Sequence, residues 1–291
     1  MLLLLLRWNA RAARRTEARL HMRYYALACD FDGTVAWNGR VDQATVAALC
    51  RVRDSGRRLI LVTGRELDDL IDQFPSLDLF DRVVAENGAV IYRTETNDQR
   101  VIGDPPPPAF IEDLHKRGVA PIAVGDVVVA TWHPHEAAVL DTIEQHGLEH
   151  HVVFNKGAVM VLPAVVNKAT GLVAALNELR LSPRNTVCVG DAENDQEMFR
   201  ACELSVAVNN ALATVKTNAG LVTEGHHGAG VVELADQLIA GDLSASDGCL
   251  RRHDILLSRS ETDDPIHFHP HGTRMLLAVR QRVESRCWPR A

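Results

Sequence analysis

The order of apolar runs and amphipathic stretches predicts an α/β protein with a doubly wound, mainly parallel sheet and a small inserted α+β domain. Three observations carry this expectation. Residues 24–92 alternate strand, helix, strand, helix, strand. The same alternation resumes at residue 168 and runs to about residue 240. Between them lies a stretch of mixed pattern that contains an Asn-Lys-Gly hairpin signal at Asn155-Lys156-Gly157.

Tyr24 to Cys29 is a short apolar run that reads as a buried strand, and it ends in Asp30-Phe31-Asp32-Gly33-Thr34. Val41 to Arg53 places apolar residues at helical spacing, with Gly56 as a stop. Arg58 to Val62 is a second buried strand and ends in Thr63-Gly64-Arg65. A helix is expected from Glu66 to about Gln73, and a third strand over Arg82 to Ala85. Repeated strand-to-helix crossovers of this kind build a Rossmann-like parallel sheet.

From about residue 87 to 162 the pattern changes. Pro105 to Pro108 forms a rigid connector before a helix over Ala109 to Arg117. Val127 to Trp132 reads as a strand, Pro134 to His146 as a helix, and 152–154 and 158–162 as a hairpin. Trp132, Asn155 and Lys156 are expected on the inner surface of this insert. His133, His135, His150 and His151 fall here without a metal-ligand spacing. The main pattern returns with a helix over Lys168 to Leu179. A strand over Thr186 to Gly190 follows, and then Asp191-Ala192-Glu193-Asn194-Asp195. Strands at 204–208 and 221–223 and a helix over Gly230 to Ala240 close the domain.

Composition excludes several classes. The net charge of −7 gives no general attraction to nucleic acid or an anionic membrane. Leu2 to Leu6 is too short to span a bilayer. Cys29, Cys50, Cys188, Cys202, Cys249 and Cys287 form no CxxC pair, which points to reduced thiols and a cytoplasmic protein. Residues 1–21 are Leu- and Arg-rich and read as a disordered extension, with Met22 a natural start. Residues 242–291 lack periodicity and read as a tail, a possible remnant of an appended domain. Its His267, His269 and His271 have no acidic or Cys partners, and no phosphate-loop motif follows Met275 to Val279.

In a parallel α/β sheet, ligands sit beyond the carboxyl ends of the strands. Asp30 and Asp32 stand at such an end. By themselves they fit a plain Asp-Gly turn as well as a site. Asp191 and Asp195 bring two more carboxylates to a second strand end. So many acids in one place are costly unless a cation is bound among them. The set DxDGT, TGR, Lys168 and GDxxND resembles the haloacid dehalogenase superfamily of phosphohydrolases. Within it, the pattern is similar to the Cof-type branch with a type IIB cap, over roughly Met22 to Gly241. The short insert makes the chain similar to the small phosphoglycolate and sucrose-phosphate phosphatase-like members.

That resemblance implies a phosphatase of small phosphorylated metabolites. Asp30 would be the nucleophile that forms an aspartyl-phosphate, and Asp32 the general acid and base. Thr63, Gly64, Lys168 and Asn194 would hold the phosphoryl group. Mg²⁺ would be held by Asp30, the backbone carbonyl of Asp32, Asp191 and Asp195. The core would comprise residues 22–86 and 163–241, and the cap residues 87–162. Two other readings stay open at this point: a phosphomutase or phosphotransferase on sugar phosphates, and an idle regulatory or binding module. Arg65 fits either a substrate contact or a salt bridge, and the role of Glu193 stays open.

Overall fold

The computed structural model describes residues 22–244. The expected residues 1–21 and most of the expected tail lie outside them. The central strand β1 (Ala26–Asp30) is buried along its whole length. It pairs in parallel with β2 (Arg58–Val62) on one side and with β10 (Thr186–Gly190) on the other. Continuous apolar strands of this kind require cover on both faces. Ala26, Ala28, Ile60 and Cys188 meet Leu172, Leu176, Met198 and Phe199 on one face. Those partners come from α5 (Lys168–Glu178) and α6 (Gln196–Ala201). Side chains alternate along a strand, so Leu27, Leu59 and Leu61 point to the opposite face. There α1 (Gln43–Asp54) packs on β2 and on α8 (His227–Gly241). Helix α1 starts where the Asp42 side chain accepts the Thr45 amide at 2.7 Å.

The large sheet has eight strands in the order β12 (Leu221–Val222), β11 (Leu204–Ala207), β10, β1, β2, β3 (Arg82–Ala85), β4 (Val90–Arg93), β5 (Asp98–Val101). Strands β11 and β12, joined through α7 (Ala213–Asn218), continue it in parallel beyond β10. On the other side, β3 (Arg82–Ala85) follows β2 through the short helix α2 (Leu67–Gln73). The chain thus leaves β1 in one direction and returns on its other flank. That reversal opens a crevice at the carboxyl ends of β1 and β10, where such folds bind ligands. The doubly wound, mainly parallel fold read from the sequence is the fold observed.

The large sheet does not stop at residue 86. β4 (Val90–Arg93) and β5 (Asp98–Val101) add to it as antiparallel edge strands. The expected insert boundary at 87 is therefore too early. The reason is chemical: Asp98-Gln99-Arg100-Val101 is exposed at every position and carries no apolar signal. The second sheet contains β6 (Ala123–Val124), β7 (Val129–Trp132), β8 (His150–Asn155) and β9 (Ala158–Pro163). Their order is β6-β7-β9-β8, and all pairs are antiparallel. Val129, Val159 and Val161 face α3 (Pro108–Lys116) and α4 (Glu136–Gln145) through Phe110, Leu114, Val139 and Ile143. Met160 and Leu162, one residue out of phase, join Ala89, Val127 and Val166 instead.

The far end also differs from the expectation. Asp242 follows α8 with a left-handed φ of +52°, and its carboxylate accepts from the buried Arg57 guanidinium at 2.8 Å. It also accepts the backbone amides of Arg23 and Tyr24. Leu243 is buried. The folded unit therefore runs past the expected limit at 241. Two residues after a helix offer no periodicity by which to be recognised.

Candidate active site

Asp30 is the last residue of β1 and is buried, with 4 % of its surface exposed. Lys168 opens α5 at a start fixed by Asn167, whose side chain accepts the Thr170 amide at 2.9 Å. Its Nζ donates to Asp30 Oδ1 at 2.5 Å and to Asp195 Oδ1 at 2.7 Å. The other oxygen of Asp195 accepts the amides of Asp191 and Ala192 at 2.9 and 3.0 Å. Asp195 thereby shapes the loop after β10 and fixes the lysine at once. Gly190 is required beside it, since a Cβ there would lie 2.5 Å from Asp195 Cγ.

Carboxylate oxygens of Asp30, Asp191 and Asp195 lie within 4.8 Å of one another. Burial pushes the Asp30 carboxyl up to about 8, and Asp195 adds to the rise while Lys168 opposes it. Burial likewise raises Asp191, against the pull of Lys156. Burial alone would lower Lys168, but Asp195 and Asp30 outweigh it and hold the ammonium above its ordinary range. Three buried acids thus share two lysines, Lys168 between Asp30 and Asp195 and Lys156 on Asp191, so carboxylates outnumber their cations. The donor set is all hard oxygen, which suits a divalent cation such as those bound by carboxylate-rich sites.

Asp32 lies just beyond β1, and its side chain is half-exposed. Arg65 grips its carboxylate with both arms, Nε at 2.6 Å and Nη2 at 2.8 Å. The remaining Arg65 nitrogen donates to Asp69 at 2.7 Å and Gln73 at 2.6 Å. Arg65 therefore makes a salt bridge, one of the two roles expected of it, and the pair orients the proposed acid and base while Arg65 also lines the cleft. Gly33 follows with φ of +90°, and a Cβ there would come 2.3 Å from Asp191 Oδ2. The turn also exposes the Gly33 carbonyl, which faces Asn210 Nδ2 and His227 Nδ1, each at 2.8 Å.

Thr63 is buried at the end of β2, and its Oγ1 accepts the Arg65 amide at 3.2 Å. Thr63 and Gly64 line a cleft of about 590 Å³ together with Asp30, Asp32 and Arg65. The small sheet supplies the opposite wall, including Trp132, Asn155, Lys156 and Met160. The residues expected on the inner face of the insert are therefore found there. Asn194 is placed differently from the rest. Its Nδ2 donates to Asn87 Oδ1 at 2.8 Å, and its Oδ1 is buried without a hydrogen-bond partner. No hydrogen bond ties its amide to the carboxylates of the cluster.

Several contacts are not visible in the sequence. Glu86 is buried and accepts the amides of Asp126, Val127 and Val128 at 2.8, 2.9 and 2.9 Å. It clasps the start of β7 to the end of β3. Lys156 reaches from the hairpin turn to Asp191 Oδ2 at 2.8 Å and the Asp32 carbonyl at 3.2 Å. The turn and the lysine's place on the inner face were legible, but the two oxygens it reaches were not. Asn87 and Asn210 likewise sit in loops without a motif of their own. Among the described residues, the histidines of the insert form no metal-ligating group.

A family model for haloacid dehalogenase-like hydrolases matches residues 27–120 and 123–234. A phosphoglycolate phosphatase of Haloarcula marismortui is 32 % identical over 219 residues, covering 71 % of this chain and 94 % of that protein. One from Methanothermobacter thermautotrophicus is 31 % identical over 215 residues, covering 72 % and 96 %. A solved sugar phosphatase of haloacid dehalogenase subclass IIB superposes with a TM-score of 0.61 at 19 % identity. That superposition covers 73 % of this chain and 97 % of the other. No helix among the described residues is long and apolar enough to cross a membrane. The two parts of the family match contain both acidic strand ends, the lysine between them and the wall that faces them. On that match the chain belongs to the haloacid dehalogenase-like hydrolases and is a phosphatase.

Proposed function

We propose that the chain hydrolyses small phosphate monoesters through an aspartyl-phosphate on Asp30, with Mg²⁺ as its metal and 2-phosphoglycolate as the first substrate to try. The observation that carries this reading is the Lys168 ammonium bridging Asp30 and Asp195 in a buried acidic cluster. An oxygen of Asp30 attacks phosphorus, and the ester oxygen leaves with a proton from Asp32. Water, deprotonated by Asp32, then cleaves the acyl phosphate and restores Asp30. Arg65 keeps the Asp32 carboxylate in place between the two steps. Thr63, Gly64 and Lys168 surround the phosphoryl oxygens with donors and positive charge. Asn194 completes that set if its Asn87 bond yields when substrate enters. Asp30, the Asp32 carbonyl, Asp191 and Asp195 would hold Mg²⁺, which supplies further charge compensation to the phosphoryl group.

The relatives named phosphoglycolate phosphatase support the substrate, and the confined cleft supports a small one. We assign residues 102–163 to a cap and the rest of the described chain to the core, since the two sheets divide there. Cys29, Cys50, Cys188 and Cys202 are free thiols, which suits the cytoplasm. Phosphate release from a panel of phosphorylated metabolites tests the reading. Chelation should stop turnover and Mg²⁺ should restore it. Full turnover in metal-stripped protein would refute the metal's part. Inertness towards the whole panel with Mg²⁺ present would refute the phosphatase reading.

A further inference from the structure

Lys156 occupies the tip of the β8–β9 hairpin, where Asn155 pairs with Ala158. Its φ of +48° and the +93° of Gly157 form the tight turn that matches strand twist. This turn carries the ammonium across the cleft to Asp191 Oδ2 and the Asp32 carbonyl, at 2.8 and 3.2 Å. Those two oxygens belong to the set that would hold Mg²⁺. A lysine and a divalent cation cannot share them, because like charges at that spacing repel strongly.

We propose that Lys156 is a tethered cation that exchanges partners: it neutralises Asp191 in the metal-free enzyme, and metal binding turns it towards a second negative charge on the substrate's leaving group. The inference rests on the metal-dependent phosphatase reading above. The other charged groups lining the cleft fix the direction of the exchange. Asp30, Asp32 and Asp69 are acidic, and Arg65 is held by Asp32, Asp69 and Gln73. Lys156 is the one cation on the cap wall of the cleft among the described residues, beside the neutral Trp132, Asn155, Ala158 and Met160. Its side chain is 44 % exposed, whereas that of Asp191 is 3 % exposed, so the lysine is the mobile partner. Once released, it makes the cap wall positive. The substrate class it selects is a phosphate monoester whose leaving group carries a carboxylate.

Calorimetric titration of the full chain with Mg²⁺, without substrate, tests the first half. Removing a competing ion pair of this kind in Lys156→Met should tighten Mg²⁺ binding roughly five- to tenfold. Lys156→Arg retains the charge and should stay near wild type. The second half is read from kcat/KM for 2-phosphoglycolate relative to ethyl phosphate, which lacks the carboxylate. That ratio should fall about tenfold or more in Lys156→Met, mainly through KM, and recover in Lys156→Arg. Unchanged Mg²⁺ affinity in Lys156→Met, or an unchanged ratio between the two esters, overturns the exchange. Tighter Mg²⁺ binding in a protein whose wild type releases phosphate from no ester supports the competition and overturns the phosphatase reading instead.

Discussion

At the level of single residues, Asp30, the proposed nucleophile, sits where it needs help to stay ionised. Burial raises its carboxyl, and Lys168 offsets that rise from 2.5 Å. Asp30→Asn keeps the shape of the side chain but removes the charge of the oxygen proposed to attack. It should lower kcat by at least about a thousandfold with the fold intact, as loss of a covalent nucleophile does. Near-wild-type turnover in a folded Asp30→Asn protein would end the assignment. The acids and Lys168 were legible because strand ends and helix starts can be placed from apolar pattern alone. Arg65 was half-legible: its place after Thr63-Gly64 was plain, but its partner across the cleft was not. Lys156 and Glu86 act through contacts made far along the chain, and local pattern holds no trace of those.

At the level of elements, α5 carries Lys168 at one end and an anchor at the other. Glu178 accepts from Arg82 and Arg93, at 2.9 Å each, and pairs with Arg100 at 3.2 Å. One carboxylate thus ties the helix to β3, β4 and β5. Burial opposes its ionisation, but the bonds from Arg93 and Arg82 prevail and hold its pKa below the ordinary value. A carboxyl depressed in the folded state stabilises above its unfolded pKa, near 4.5, and loses that effect as pH falls through the folded value. Glu178→Gln should therefore cost about 1–2 kcal/mol at neutral pH, because Arg82 is left half-partnered in a buried place. The deficit should shrink below about pH 4. Denaturant melts of the two proteins across pH would show it, and equal stability at pH 7 would count against the anchor. The helices and buried strands were legible from periodicity, whereas β5 was not, since a polar edge strand has only its neighbour to define it.

At the level of the whole molecule, the described fold continues past the expected limit at 241. Asp242 and Leu243 close the space between α8, Arg57 and the entry to β1. A chain of residues 22–244 should fold and retain its activity. One ending at Gly241 should be less stable by about 2–3 kcal/mol, since it leaves the buried Arg57 short of a charged partner and uncovers the site of Leu243. Thermal melts of both would decide, and equal midpoints would return the boundary to 241.

The crevice between β1 and β10 also sets a schedule. Asp30 and the lysine that steadies it are 138 residues apart, and β10 can take its place only after the second sheet has been passed. Closing so long a loop is slow compared with forming the local hairpins and helices. On the ribosome, β1 to β3 emerge with one flank of β1 bare and two of the three buried acids missing. A nascent chain is therefore catalytically silent until its last third is made, and β1 spends that interval as an open edge. Pulse-labelled hydrogen exchange during refolding should find the amides of β10 among the last of the large sheet to become protected.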